Sequence, residues 1–367
     1  MATLELGAQG SNSELWRELS SALSTHLEDT RTQCLTSNAA SEEELVIDVT
    51  EALWAFNHAG HVDEGLQTLA NAVLHGLGSA ADSRLHDSGS SAVSSLQELY
   101  VSSAGEEPLR PEIVLELRDR LVCMKPPGWA VYLKEDDPEA QGMAPLLQLH
   151  LQAHLPQRQW PIIHDQDQHF GFLHRLDVPS SGLILVAKTY EAYYDCLLQL
   201  STGTLVREYT VLSHGWVPVG RAEIRRRISA PEGLRSKISP AGKPSRTLLK
   251  VLAHAQHGSQ ALSLLAIRIL TGRRHQIRIH LAHIGHASVC DGKYTALETF
   301  LGDREWCPRN FLHRHRLAFQ DQSGDMREVM SPLPADLRAS MRQVDPKDEA
   351  SRPALLGLRR DCCQLSV

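Results

Sequence analysis

Two stretches of the chain gather side chains suited to chemistry. In "HRLDVPSSGLILVAKT" (174–189), Asp177 stands between Arg175 and a serine pair, five residues before the apolar run "GLILVAK" begins. Such a run reads as a strand covered on both faces, and "VPSS" as the turn leading into it. The carboxylate is therefore expected at the mouth of the core. There it is either a turn-capping aspartate bonded to nearby backbone N–H groups or a reactive carboxylate partly shielded from water, and position alone does not separate the two.

The second stretch, "LTGRRHQIRIHLAHIGH" (270–286), sets Arg278 among Ile277, Ile279 and Leu281. Ile277, Leu281 and Ile284 fall at i, i+4 and i+7 with Gly285 as a stop, which predicts a helix, although Ile277, Ile279 and Leu281 would equally alternate on a strand. An arginine bordered by apolar residues calls for a carboxylate, since an unpaired buried charge is costly, and Asp177 is the candidate partner. His275, His280, His283 and His286, like "HDQDQH" (164–169), invite a metal reading. No H-E-x-x-H spacing accompanies them, so no metal is expected, and without a Walker A loop or G-x-G-x-x-G no nucleotide cofactor is expected either.

These residues need elements to hold them. The 367 residues suffice for two domains, and 42% hydrophobic with 22% charged composition excludes the disordered and fibrous classes. No run of about 18 uncharged apolar residues occurs, so no membrane association is expected. The start lacks a basic segment followed by an apolar one, and the seven cysteines include no C-x-x-C pair; both predict an intracellular, reducing compartment, the cytoplasm before an organelle or the nucleus.

Charge is distributed unevenly. Residues 1–110 hold 4 Lys and Arg against 17 Asp and Glu, whereas residues 204–294 hold 15 against 4. The later part is expected to meet a polyanion, a solvated basic face being the plainer alternative. The acidic first part is expected to contact another protein or to mask the basic surface.

Helical spacing fills the first third. Ser11 with Glu14 and Ser41 with Glu44 match the capping-box interval; Leu45, Val49, Leu53 and Phe56 recur until Gly60, and Leu66, Leu69, Val73, Leu74 and Leu77 continue to Gly78, predicting a helical hairpin. The Gly/Ser-rich residues 78–95 read as a linker, with a short apolar segment at 96–101 beyond it. From about 111 come the short apolar runs "RLVCMKPPGWAVYL", "GFLHRL", "SGLILVAKT", "REYTVLSHGWV", "RTLLKVLA", "SLLAIRIL" and "FLHRHRLAF", with a helix at 190–200 between them. Together they predict an α+β (mixed) domain over 111–345, preceded by a helical region over 1–104 and followed by a loosely ordered tail over 346–367.

The motifs then become specific. "HRLDVPSSGLILVAKT" resembles the H-R-L-D-x-x-[TS]-S-G-L-x-x-x-A-K signature of the RluA-type family of RNA pseudouridine synthases, and "TGRRHQIRIHLAHIGHASVCDGKY" is similar to its T-G-R-x-H-Q-I-R-x-H-L block. "LVCMKPPGWAVY", "REYTVLSHG" and "FLHRHRLAF" resemble its K-P-x-G, [KR]-x-Y and L-H-x-x-R-L-x-F segments, in the family's order over about residues 118–320. The resemblance implies a central, mainly antiparallel sheet flanked by helices and a cofactor-independent isomerisation of uridine in rRNA, tRNA or mRNA. It assigns catalysis to Asp177, Tyr209 and Arg278, the guanidinium favouring an ionised carboxylate. It further implies RNA contacts from His174, Arg175, Arg273, Arg274, His275 and Gln276, and a monomer whose partner is RNA. A target base flipped from its stack would lie against an aromatic face such as that of Tyr209. Ser180 replaces the commoner threonine, Arg274 stands where threonine is frequent, and Cys290 where glycine is usual. A chain that keeps the fold but only binds or chaperones RNA is the alternative.

Overall fold

All seven residues of Ser181–Ala187 are buried, as a continuous apolar run with a strand on each edge requires. A computed structural model describes residues 13–33, 39–87, 109–132, 144–231 and 235–359. In chain order the helices are α1 (Ser13–Gln33), α2 (Ala39–Ala59), α3 (Glu64–Asp87), α4 (Leu147–His154), α5 (Tyr190–Thr202), α6 (Gln276–His283), α7 (Leu297–Arg304), α8 (Ala335–Met341) and α9 (Arg352–Arg359). The strands are β1 (Glu112–Glu116), β2 (Arg120–Lys125), β3 (Ser181–Ala187), β4 (Val206–His214), β5 (Glu223–Arg225), β6 (Ile228–Ser229), β7 (Lys237–Ile238), β8 (Arg246–His257), β9 (Gln260–Ile269), β10 (Leu312–Gln320), β11 (Met326–Met330) and β12 (Asp345–Pro346). The chain is α+β, as expected.

One compact unit comprises residues 1–87 and 190–204. Leu27, Val49, Leu53, Leu66, Val73, Leu74 and Leu77 are buried within it, which matches the apolar spacing of its helices. The Asp63 carboxylate starts α3 by accepting from Leu66 N–H at 2.7 Å, and its other oxygen accepts from the Ser20 hydroxyl at 2.6 Å. Gly78 does not end this helix. Instead α3 continues to Asp87, so the expected linker begins inside it; residues 88–95 and the segment 96–101 lie outside the described residues, as does Ser11. Gly78 is needed for another reason: a Cβ there would stand 2.4 Å from the Cα of Glu191, so its absence lets α5 approach. Asp82 then accepts from the N–H groups of Tyr190 and Glu191 at 3.0 and 3.1 Å, capping α5 from a distant part of the chain. Helix α2 begins at Ala39, so Ser41 lies within its span.

The second unit, 88–189 with 205–367, is built on a ten-stranded sheet of order β1-β2-β3-β10-β4-β9-β8-β12, with β11 on β10 and β5 on β8. Among the described strands of this sheet every pairing is antiparallel except β3 with β10. "GFLHRL" forms no strand, only a bridge from Phe172 to Val186, because the chain must leave the sheet there to make the turn before β3. The tail is better ordered than its charge suggests: through residue 359 it folds as α9, whose Leu355 and Leu358 join Leu262, Leu264, Phe311 and Leu337 in one apolar cluster. Residues 360–367 lie outside the described part.

The parallel pair explains the glycine of the "SSGL" motif. Gly182 has φ +135° and faces Arg314 in register; a Cβ there would meet the Arg314 carbonyl oxygen at 2.5 Å and its amide nitrogen at 2.6 Å. Gly182→Ala is expected to lower stability by about 3 kcal/mol or more, through both strain and displaced backbone. Urea denaturation of the two proteins checks this, and an unchanged midpoint would contradict it.

Candidate active site

Asp177 occupies the turn before β3, whose first residues are fixed from two sides. The Ser180 N–H donates to the Asp177 carbonyl at 3.0 Å, and the Gly128 N–H donates to the Val178 carbonyl at 2.8 Å. Lys125, wholly buried at the end of β2, reinforces the junction: its Nζ donates to the carbonyls of Trp129 at 2.8 Å, Pro126 at 3.0 Å and Val178 at 3.4 Å. Burial pushes the Lys125 pKa down to about 7, with Arg309 adding to the effect and Asp177 opposing it. The lysine thus ties the K-P-x-G segment to the turn that carries the carboxylate.

Helix α6 supplies the counter-charge. Arg278 Nη1 donates to Asp177 Oδ2 at 2.8 Å, while its Nε and Nη2 form a fork on Asp291 at 2.8 and 2.7 Å. Arg278 and Asp291 are buried, whereas the Asp177 side chain keeps 22% of its surface accessible. Burial alone would weaken the charge on Arg278, but the bonds to Asp291 and the charges of Asp177 and Asp291 outweigh it and raise the pKa above the ordinary arginine range. Asp291 is itself held by the N–H groups of Lys293 and Tyr294 and by the Ser288 hydroxyl. Cys290 takes φ +56°, the left-handed conformation for which glycine is the usual residue, and its N–H donates to Asp303 at 2.7 Å.

His275, also left-handed at φ +58°, stands at the start of α6 with Nε2 3.9 Å from Asp177 Oδ1. Its Nδ1 lies 2.9 Å from the Tyr294 hydroxyl, which donates onward to the Ser236 carbonyl at 3.3 Å. Burial pushes the Tyr294 pKa up to about 12. Asp177, Arg278 and His275 are therefore together, and Asp291 and Tyr294 complete a group that sequence spacing did not single out. Their signal was present in "CDGKY", but the aspartate there is visible as a partner only once α6 folds back.

Tyr209 belongs to a neighbouring network. Its hydroxyl accepts from Arg314 Nε at 2.9 Å and from Nη2, and it is buried beside the guanidinium, 4.9 Å from its ring centre. Arg314 also donates to His174 Nδ1 at 2.7 Å and to the Leu183 and Arg175 carbonyls. Burial and the charges of Arg314 and Arg207 hold the His174 pKa well below its usual value. Arg314 was not foreseen, since an arginine between two histidines in the strand "LHRHRLAF" looks solvated from sequence.

The remaining expected RNA contacts differ among themselves. Arg175 is half-buried over the Tyr132 ring at 5.6 Å, and Arg273 is half-buried in the loop before α6. Arg274 is committed to protein, donating to the Ser236 hydroxyl at 3.0 Å and the Pro231 carbonyl at 3.2 Å. Gln276 is buried and its amide is fully engaged, accepting from Thr271 and the Arg273 N–H and donating to Arg246 and Thr247. It braces the loop from within, with no donor left for RNA. Among the described residues no three His, Cys, Asp or Glu side chains converge as metal ligands.

A mixed sheet with a partly exposed aspartate in the turn before β3, clamped by a doubly paired arginine, and with a buried tyrosine on β4 held by a second arginine, gathers the groups for carboxylate chemistry. Comparison with known proteins agrees: the family model described as RNA pseudouridylate synthase matches residues 119–283. An uncharacterised RNA pseudouridine synthase of Bacillus subtilis (strain 168) is 30% identical over 246 residues, 66% of this chain and 75% of the relative. Ribosomal large subunit pseudouridine synthase D of Nitrosomonas europaea is 36% identical over 197 residues, 50% of this chain and 54% of the relative. The solved structure of human RNA pseudouridylate synthase domain containing 1 aligns with TM-score 0.50 at 25% identity, covering 70% of this chain and 98% of that one. The chain belongs to the RluA-type family of RNA pseudouridine synthases.

Two outcomes follow from the charge arrangement. Arg278→Ala strands the buried Asp291 carboxylate and is expected to cost about 3–5 kcal/mol in urea denaturation, whereas removing Asp177, which keeps contact with water, costs far less. The second concerns acid. His313 is pushed down to about 3 and His280 to about 4, chiefly by burial, so both are neutral in the fold. The unfolded chain takes up their protons below about pH 6.5, so the stability they leave intact above that value is lost as pH falls towards 4, by about 2 kcal/mol each at pH 5. Urea midpoints near pH 7.5 and pH 5 measure the difference, and His313→Gln should shrink it.

Proposed function

We propose that this chain isomerises uridine to pseudouridine in RNA, with Asp177 as the reacting carboxylate. The observation that carries this reading is the Asp177–Arg278–Asp291 arrangement: the outer acid is accessible to a substrate while the inner acid fixes the guanidinium that positions it. In the reaction the N1–C1′ bond breaks, the uracil turns, and a C5–C1′ bond forms; the C5 proton leaves and N1 gains one, with no net oxidation. Nothing beyond a carboxylate and groups that move protons is required. Asp177 meets the sugar or the base as nucleophile, and Tyr209, held through its hydroxyl by Arg314, stands by as the aromatic and proton-bearing partner.

A base paired in a duplex cannot reach such a site, so the uridine is flipped out. We assign Arg175 to the vacated space or the adjoining backbone, and His275, 3.9 Å from Asp177, to the base or ribose. Several relatives, that of Nitrosomonas europaea among them, are named for the large ribosomal subunit, which makes its RNA the first substrate to try.

The test is a site-resolved pseudouridine map of ribosomal transcripts treated with the pure protein. Wild type is expected to introduce pseudouridine at defined positions, and Asp177→Ala and Asp177→Asn to lose at least about 1000-fold in rate while still folding and binding RNA. An Asp177→Ala protein that remains active would remove the carboxylate from the mechanism.

A further inference from the structure

Resting on the reading of RNA as substrate, we propose that Arg207, with Arg273 beside it, binds one phosphate oxyanion of the RNA backbone next to the flipped uridine.

Arg207 lies on β4 two residues before Tyr209, so the two side chains leave the same face of the strand. Glu208 between them points the other way, where Arg268 and Arg316 pair with it at 2.6 and 3.1 Å. Arg207 is 4% exposed, yet its guanidinium makes no hydrogen bond or ion pair with any described residue, and its Nε is wholly buried without an acceptor. Other buried arginines of this unit are matched: Arg120 by Asp119, Arg278 by Asp177 and Asp291, Arg309 by Asp336, and Arg314 by Tyr209, His174 and two carbonyls. Among the described residues Arg207 is the exception, and its charged neighbours deepen the imbalance. Burial depresses its pKa to about 10; the Tyr209 phenol opposes this, while the cations of Arg314 and Arg273 add to it.

An unmatched buried guanidinium among cations is costly in the free protein. An arriving anion removes that cost, and a phosphate fits the planar donor fork. The way in is provided by Gly272, an exposed residue of the "TGRR" loop: Arg207 Nη1 lies 3.1 Å from where a Cβ of that glycine would stand. Any larger residue would cover the guanidinium from the side on which Arg273 follows. The site takes a phosphodiester and shows no feature that reads a base, so it positions the strand without specifying sequence.

The experiment has two arms on the full chain. In the first, binding of fluorescein-labelled single-stranded decauridylate is followed by anisotropy across a salt series, with pseudouridine formation on ribosomal transcripts measured on the same preparations. Arg207→Gln is expected to flatten the slope of log affinity against log salt by about 0.7, one phosphate contact, and to raise KM about tenfold with kcat changed much less. Arg207→Lys should keep the slope. In the second arm, inorganic phosphate is expected to raise the melting temperature of wild type beyond chloride of equal ionic strength, and not that of Arg207→Gln. An unchanged salt slope in Arg207→Gln, or equal response of wild type to phosphate and chloride, overturns the proposal. If wild type makes no pseudouridine while the salt slopes and the phosphate response behave as described, the anion site stands and the synthase reading falls.

Discussion

A single guanidinium with two aspartates organises the site. Arg278 carries one positive charge and meets two carboxylates, one buried and one partly exposed. Three charge-assisted hydrogen bonds offset the cost of taking that charge out of water, and the fork on Asp291 removes the rotational freedom that the third bond, to Asp177, would otherwise have to overcome. The arrangement is asymmetric for a reason: the inner acid anchors, so the outer acid is free to react without the arginine being lost.

That clamp depends on backbone placed in conformations that few side chains accept. Cys290 and His275 are both left-handed, one directing Asp291 towards α6 and the other starting α6 itself. Gly182 brings β3 against Arg314 of β10, which delivers a second buried guanidinium to the hydroxyl of Tyr209. The only parallel pairing among the described strands therefore joins the Asp177 turn to the Tyr209 network. Strain of this kind persists only where surrounding structure determines it, and here Asp303, Ser288 and the sheet do so.

The helical unit follows the same logic with different groups. Gly78 permits close approach and Asp82 caps α5, whose residues come from the middle of the chain. A cap supplied by a carboxylate more than a hundred residues away leaves no local mark, which is why the helix at 190–200 reads from sequence as an ordinary connection between strands. The same blindness made Gly78 look like a terminus: in isolation a glycine after an apolar helical run signals a stop, and only the neighbouring helix reveals that it is a contact.

By itself the sequence determined what short-range chemistry and pattern determine: the buried run of β3, the α+β class, the order of the motifs, and Asp177 as the candidate partner of Arg278, while leaving helix and strand both open for the segment that carries Arg278. These were legible because burial imposes periodicity and because a charge bordered by apolar residues must find its opposite. Tertiary structure alone decided that Arg278 serves two acids, that Arg314 holds Tyr209, that Gln276 and Arg274 brace the loop from inside, and that Arg207 is left unmatched. Each of those depends on which donors meet which acceptors across elements far apart in the chain, and no interval within a sequence encodes a distance between segments that meet only when the sheet closes.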